Sequence, residues 1–148
     1  GLGNGVPIGA CLTAGRATDL FGPGSHGSTF GGNPLVCRAA ATVLDVIERD
    51  GLVARAAQLG DKIASRIREG LAGEPGCRDV RGRGLMIGIE LDRPAGELVA
   101  RALKEGLLIN VTAGSVVRLL PPLILSASQA DLIADRVVGV IRDWYAAN

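Results

Sequence analysis

Apolar residues recur every three to four positions in three long stretches of the chain and every second position in a fourth. These periods predict the elements. Leu35, Val36, Ala39, Ala40, Val43, Leu44 and Ile47 fall on one side of a helix. Asn33 and Pro34 open it, asparagine to accept free backbone N–H groups and proline where no N–H is needed. Asp50-Gly51 stops it. A second helix places Leu52, Val53, Ala56, Leu59, Ile63 and Ile67 on one face, with Arg55, Asp61, Lys62, Arg66 and Arg68 mostly on the other. Gly70, Gly73, Pro75 and Gly76 end it and turn the chain. The last helix starts at Ser126, whose spacing to Gln129 fits a capping box. It turns Leu132, Ile133, Val137, Val140, Ile141 and Trp144 inward.

The period of two appears in Leu85–Leu91, with Leu85, Ile87, Ile89 and Leu91 on one face of a strand. Residues 107–111 and 116–120 predict two more strands, the second closed by Pro121-Pro122 because proline cannot continue a ladder. Ala95–Glu105 reads as a short helix ended by Gly106. The first 33 residues are different: glycine-rich, with Ser, Thr and Pro. There Val6–Ala14 reads as a short buried strand and Ala17–Phe21 as one helical turn. The order is loop, two helices, then β, α, β, β, α, an α/β chain whose second half forms a small sheet with helices on one face.

Composition narrows the picture. The chain has 148 residues, of which 47% are hydrophobic, enough for one domain or two small lobes and against disorder. A net charge of +1 offers no field for nucleic acid or an anionic membrane, and 3% aromatic residues leave little for base stacking. No apolar run approaches the roughly 18 residues of a transmembrane helix, and the expectation is a cytoplasmic protein with no membrane partner. Cys11, Cys37 and Cys77 have neither disulfide-framework nor zinc spacing and read as reduced thiols; no metal is expected.

Four segments can carry chemistry. Gly1–Ala10 is a glycine-rich turn without the spacing of a dinucleotide or Walker loop. Gly24–Pro34 puts Ser28 and Thr29, two hydroxyl donors, just ahead of a helix. This suits a phosphate, and equally suits a loop that caps its own helix. His26 has no second histidine, and serving Ser25 or Ser28 from within one loop is poor geometry for a triad. Arg118 interrupts an apolar strand, where an arginine must be paired or face a polar cavity. Its fork can hold a carboxylate, or it can make a structural ion pair. Arg81 and Arg83 read as weaker candidates, solvated or bridging loops.

Taken together, Gly1-Leu-Gly-Asn-Gly-Val-Pro-Ile-Gly-Ala10, His26-Gly-Ser-Thr-Phe-Gly-Gly-Asn-Pro34, Arg81-Gly-Arg-Gly-Leu-Met-Ile-Gly-Ile-Glu90 and Val117-Arg-Leu-Leu-Pro-Pro122 resemble the class III pyridoxal 5'-phosphate (PLP) aminotransferases. The resemblance spans essentially the whole chain. Its acetylornithine branch is most similar, notably in Pro7–Cys11 and Gly24–Pro34. The resemblance implies a fold-type I transferase fragment, with residues 1–77 ending the large domain and 78–148 forming the small C-terminal domain. It implies PLP as cofactor, a homodimer with the PLP site at the subunit interface, and transfer of an amino group from N-acetylornithine to 2-oxoglutarate in arginine biosynthesis. Succinylornithine, ornithine and 4-aminobutyrate are alternative amines; a non-enzymatic phosphate-binding module and a purely structural domain are alternatives of other classes. Thr29 matches the threonine that binds the PLP phosphate across the interface. Ser28 matches a substrate-contacting position, and Arg118 an arginine near the substrate carboxylate. The Schiff-base lysine is expected immediately before Gly1. Lys62 and Lys104, on the polar sides of helices, do not match it, so the fragment alone is expected to be inactive.

Overall fold

A computed structural model describes residues 1–147. The chain forms two compact units, one of residues 1–51 and one from Leu52 onward.

In the first unit the only long element is helix α1, Pro34–Arg49. Its start follows the sequence: Asn33 Oδ1 accepts from the backbone N–H of Leu35 at 3.0 Å and of Val36 at 3.4 Å, with Pro34 in the first turn. Ahead of it the chain is irregular apart from a 3-10 turn at Gly15–Ala17, slightly earlier than the turn expected at 17–21. The strand expected over Val6–Ala14 is absent. An isolated apolar run needs a neighbouring edge to satisfy its N–H and C=O groups, and the described residues of this unit supply none. The apolar stripe of α1 is likewise only partly covered, with Ala40 buried but Leu35 and Leu44 exposed.

The second unit is a one-sided sandwich of sheet and helices. Its elements are α2 (Leu52–Gly70), β1 (Cys77–Arg83), β2 (Met86–Leu91), α3 (Leu98–Lys104), β3 (Asn110–Thr112), β4 (Val116–Leu119) and α4 (Ala127–Ala146). The sheet is antiparallel throughout, in the order β1-β2-β4-β3. Strand β1 carries no apolar alternation, and the sequence pattern alone did not reveal it. It forms because the tight β1–β2 connection, with Gly84 at φ 53°, folds it back on β2.

Strand alternation sends Val80, Ile87, Ile89, Leu91, Val117 and Leu119 to one face, where they meet the apolar sides of the helices. Helix α2 lies against β1 and β2, and α4 packs on α2 and α3. Ile63, Ile67, Leu98, Val137, Ile141 and Trp144 complete the core. Because α2 belongs to this core, the division between the two compact units falls at Gly51/Leu52. Of the inward positions expected on α2 only Val53 is exposed, and on α4 only Leu132.

Charges stitch the two long helices along their solvent edge. Lys62 meets Asp131 at 2.7 Å, and one turn further Arg66 meets Asp135 at 2.5 Å. Both pairs advance by four residues together, so α2 and α4 run in the same direction at this seam. The capping box of α4 is present in full: the Gln129 N–H donates to Ser126 Oγ at 3.1 Å and the Ser126 N–H to Gln129 Oε1 at 2.9 Å. At the other end of α4 the Trp144 indole N–H donates to Glu97, and the Tyr145 hydroxyl donates to Gly76 O and Asp92, each at 2.8 Å. No helix among the described residues is long and apolar enough to cross a membrane.

Candidate active site

The segment Gly22–Asn33 is a run of small turns. Ser25 N–H donates to Gly22 O at 3.0 Å, and the Gly22 N–H returns to Ser25 Oγ at 3.1 Å. Gly31 N–H donates to Ser28 O at 3.2 Å, which closes a turn with Ser28 and Thr29 on its outside. Both side chains are exposed and, among the described residues, their hydroxyls make no hydrogen bond. The first amides of α1 are engaged by Asn33, so the site on offer is not the helix terminus. It is the pair of adjacent hydroxyl donors. No acidic residue lies between Gly22 and Pro34. Two unengaged donors without a repelling carboxylate fit a phosphate group. His26 meets only Phe21, edge-on at 6.3 Å between ring centres, and no nucleophile–base pair forms around it.

The opening glycines have a local explanation. Asn4 N–H donates to Gly1 O and Val6 N–H to Gly3 O, a double turn. A Cβ on Gly3 would overlap the Val6 carbonyl oxygen, while Asn4 and Gly5 sit at φ 47° and 115°. Only glycine suits the third and fifth positions, so the pattern records a tight turn directly after the chain's first residue.

Arg118 stands in the second unit, on β4. The sequence placed it within an apolar strand, to be paired or to face a polar cavity. Period-two alternation in a sheet covered on one side puts Arg118 on the open face, exposed, between buried Val117 and Leu119. It forms no ion pair or hydrogen bond among the described residues, so the structural ion-pair reading has no partner there. A guanidinium in that state can receive a carboxylate bidentately.

The same open face carries charge that motif reading missed. Arg81 of β1 lies opposite Gly88 of β2, which lies opposite Arg118 of β4, which lies opposite Asn110 of β3. Arg81 Nη1 donates to Asp79 at 2.9 Å and to Glu90 at 2.5 Å, and these two carboxylates hold its guanidinium above its ordinary pKa. The signal was available only as strand register: residues 79, 81, 88, 90 and 118 share a face once β1 is known to pair with β2.

Neither lysine is placed for cofactor chemistry. Lys62 is spent on Asp131, and Lys104 is exposed in the last turn of α3. Two surface clefts of about 360 Å³ each lie elsewhere in the second unit, one along α4 and one at the end of α2, and neither is lined by Arg118.

Residues 1–141 match the family described as aminotransferase class-III. The chain is 56% identical over 146 residues to acetylornithine aminotransferase 1 of Bordetella bronchiseptica, covering 99% of this chain and 37% of that protein. Among solved structures it resembles the ornithine aminotransferase of Toxoplasma gondii, with a TM-score of 0.83 at 32% identity over 89% of this chain and 32% of that one. That enzyme has also been seen with PLP partly occupying its active site. It likewise resembles the acetylornithine aminotransferase of Elizabethkingia anophelis, with a TM-score of 0.78 at 35% identity over 86% of this chain and 33% of that one. The open-faced sheet and hydroxyl loop thus belong to a PLP-dependent enzyme fold of type I. The chain is a member of the class III aminotransferases, and it spans about a third of the length of the curated relatives it matches.

Proposed function

We propose that these residues work within a longer chain as an acetylornithine aminotransferase. It moves the amino group of N-acetylornithine to 2-oxoglutarate, a step of arginine biosynthesis, in the cytoplasm. The observation that carries this reading is the 56% identity to an acetylornithine aminotransferase over 99% of the chain. In this reading residues 1–77 close the large domain and 78–148 form the small one, with α2 lying on the small domain's sheet. A lysine immediately before Gly1 carries the cofactor. PLP, when bound, supplies the electron sink for the bond changes at the amine carbon. The chain's own residues bind and orient. Thr29 donates its hydroxyl to the phosphate across the interface of a homodimer. Ser28, its neighbour, contacts the substrate. Arg118 lies near the substrate carboxylate and can hold it bidentately.

The test is peptide mapping of the full-length protein after borohydride reduction, joined to an amine panel. A pyridoxyl-lysine directly before Gly1-Leu2-Gly3 is expected, with N-acetylornithine turned over faster than succinylornithine, ornithine or 4-aminobutyrate. Another residue before Gly1, or a lysine there without cofactor, sinks the site assignment. Ornithine is the second donor to weigh, because of the TM-score of 0.83 to an ornithine aminotransferase. Faster turnover of ornithine would replace the first reading with that one.

A further inference from the structure

Strand β1 enters the sheet with one residue too many. Gly76 meets Asp92, whose N–H donates to the Gly76 carbonyl at 2.9 Å, and Val80 pairs with Ile89. Four steps of chain, from 76 to 80, therefore lie against three, from 92 to 89. The surplus is a bulge at Arg78, between the pairs Cys77–Leu91 and Asp79–Glu90. Its effect is to change which side chains face the core. Without it Arg78 would stand opposite Leu91, on the face that meets the helices, and Cys77 opposite Asp92. With it Cys77 packs against the core and Arg78 is exposed. Bulges at sheet edges re-aim side chains in this way, and β1 is an edge strand.

A surplus residue stays in place only where the chain is held on both sides of it. On the far side Arg68 donates to the Val80 carbonyl, through Nε at 3.1 Å and Nη2 at 2.8 Å. On the near side the hold comes from the last turn of α4. The Tyr145 hydroxyl lies 2.8 Å from both the Gly76 carbonyl oxygen and Asp92 Oδ1. Arg93 sits over the Tyr145 ring, 5.1 Å from its centre, and donates to both oxygens of the Asp92 carboxylate. Gly76 is fitted to that ring. Its φ lies outside the left-handed region, so the backbone does not demand glycine, but a Cβ there would overlap the Tyr145 side chain.

We infer that the last turn of α4 is a strap on the sheet: Tyr145 pins Gly76 and Asp92, holds the bulge at Arg78, and so keeps Cys77 inward and Arg78 outward. With the pin withdrawn, the surplus residue can pass out into the turn at 73–76, and Cys77 turns away from the core. While Cys77 faces inward, burial pushes its thiol up and keeps it a poor nucleophile. Its reactivity therefore reports whether the strap is closed. The strap acts on the fold whichever amine the enzyme takes.

The test is alkylation of Cys77 by iodoacetamide in the full-length holoenzyme, followed by mass spectrometry of the peptide that contains it. Tyr145→Phe keeps the ring and removes the donor. It is expected to speed alkylation of Cys77 by roughly tenfold, as fits loss of one hydrogen bond to a charged group. Gly76→Ala, which displaces the ring, is expected to act in the same direction. Deleting Arg78 removes the surplus and leaves Cys77 opposite Leu91 without a bulge. In that background Tyr145→Phe is expected to leave the Cys77 rate unchanged, a repair that a general loss of stability would not show. Amide exchange on the same samples is expected to find α2 and β2 as protected as in the wild type. An unchanged Cys77 rate in Tyr145→Phe overturns the inference. So does an equal rise with Arg78 deleted, or a rise accompanied by lost protection in α2 and β2.

Discussion

Thr29 and Arg118 are each defined by what they leave unmade. A hydroxyl on an exposed turn and a guanidinium on an open sheet face, both without partners among the described residues, are donors awaiting an acceptor. Residue types alone do not separate them from Ser126, whose hydroxyl is committed to the Gln129 N–H, or from Arg68, which donates through two nitrogens to the Val80 carbonyl. Thr29→Val keeps the shape and removes the donor. A hydrogen bond to a charged group contributes about 1.5–3 kcal/mol, so the full-length enzyme is expected to lose on the order of tenfold to a hundredfold in PLP affinity. Titrating the apoenzyme with PLP by absorbance checks this, and an unchanged Kd removes Thr29 from the phosphate site.

At the scale of elements, helix ends were the easiest part to read. Asn33-Pro34 and Ser126–Gln129 are local devices, requiring only three or four residues to meet, and both appear as expected. Ser126→Ala deletes one half of a reciprocal cap and is expected to lower stability by about 1 kcal/mol, seen as a shifted denaturation midpoint with unchanged slope. No shift would mean that packing of α4, through Val137, Ile141 and Trp144, holds that end unaided. Strands were harder. The second-half pattern at 85–91 survived because its inward face is buried by helices, whereas the run at 6–14 has no edge to pair with in its unit. The strand over 77–83 was hidden because its only buried side chain is Val80.

The second unit as a whole is held by an apolar core with charged ties at its rim. Its carboxylates give a pH signature. Asp135 is held below the usual carboxylate range by its hydrogen bond from Arg66, Asp92 by those from Arg93 and then Tyr145, and Glu97 by that from the Trp144 indole. A depressed pKa in the folded state means the contribution is present above the ordinary carboxylate range and lost as pH falls through the lowered values. The melting temperature is therefore expected to fall between about pH 5 and pH 3, and less steeply at high salt, because the groups are exposed and screened. A flat profile over that window would show the rim ties contribute nothing measurable. Tyr145 has the opposite sign: burial, then its hydrogen bond to Asp92, pushes it up to about 12, so its contribution is lost only in strong alkali.

The chain's own letters determined whatever depends on near neighbours: the periods of α1, α2 and α4, the caps that start two of them, the alternation at 85–91, the hydroxyl pair at Ser28-Thr29 and the motifs that place the chain in its family. Tertiary structure decided what depends on who lies opposite whom. The pairing of β1 with β2 and of β2 with β4 set Arg81, Gly88, Glu90 and Arg118 on one face. Coverage of the sheet on a single side turned Arg118 outward. The packing of α2 on the sheet drew residues 52–70 into the second unit. Such relations join positions tens of residues apart, and no local window of sequence contains both partners.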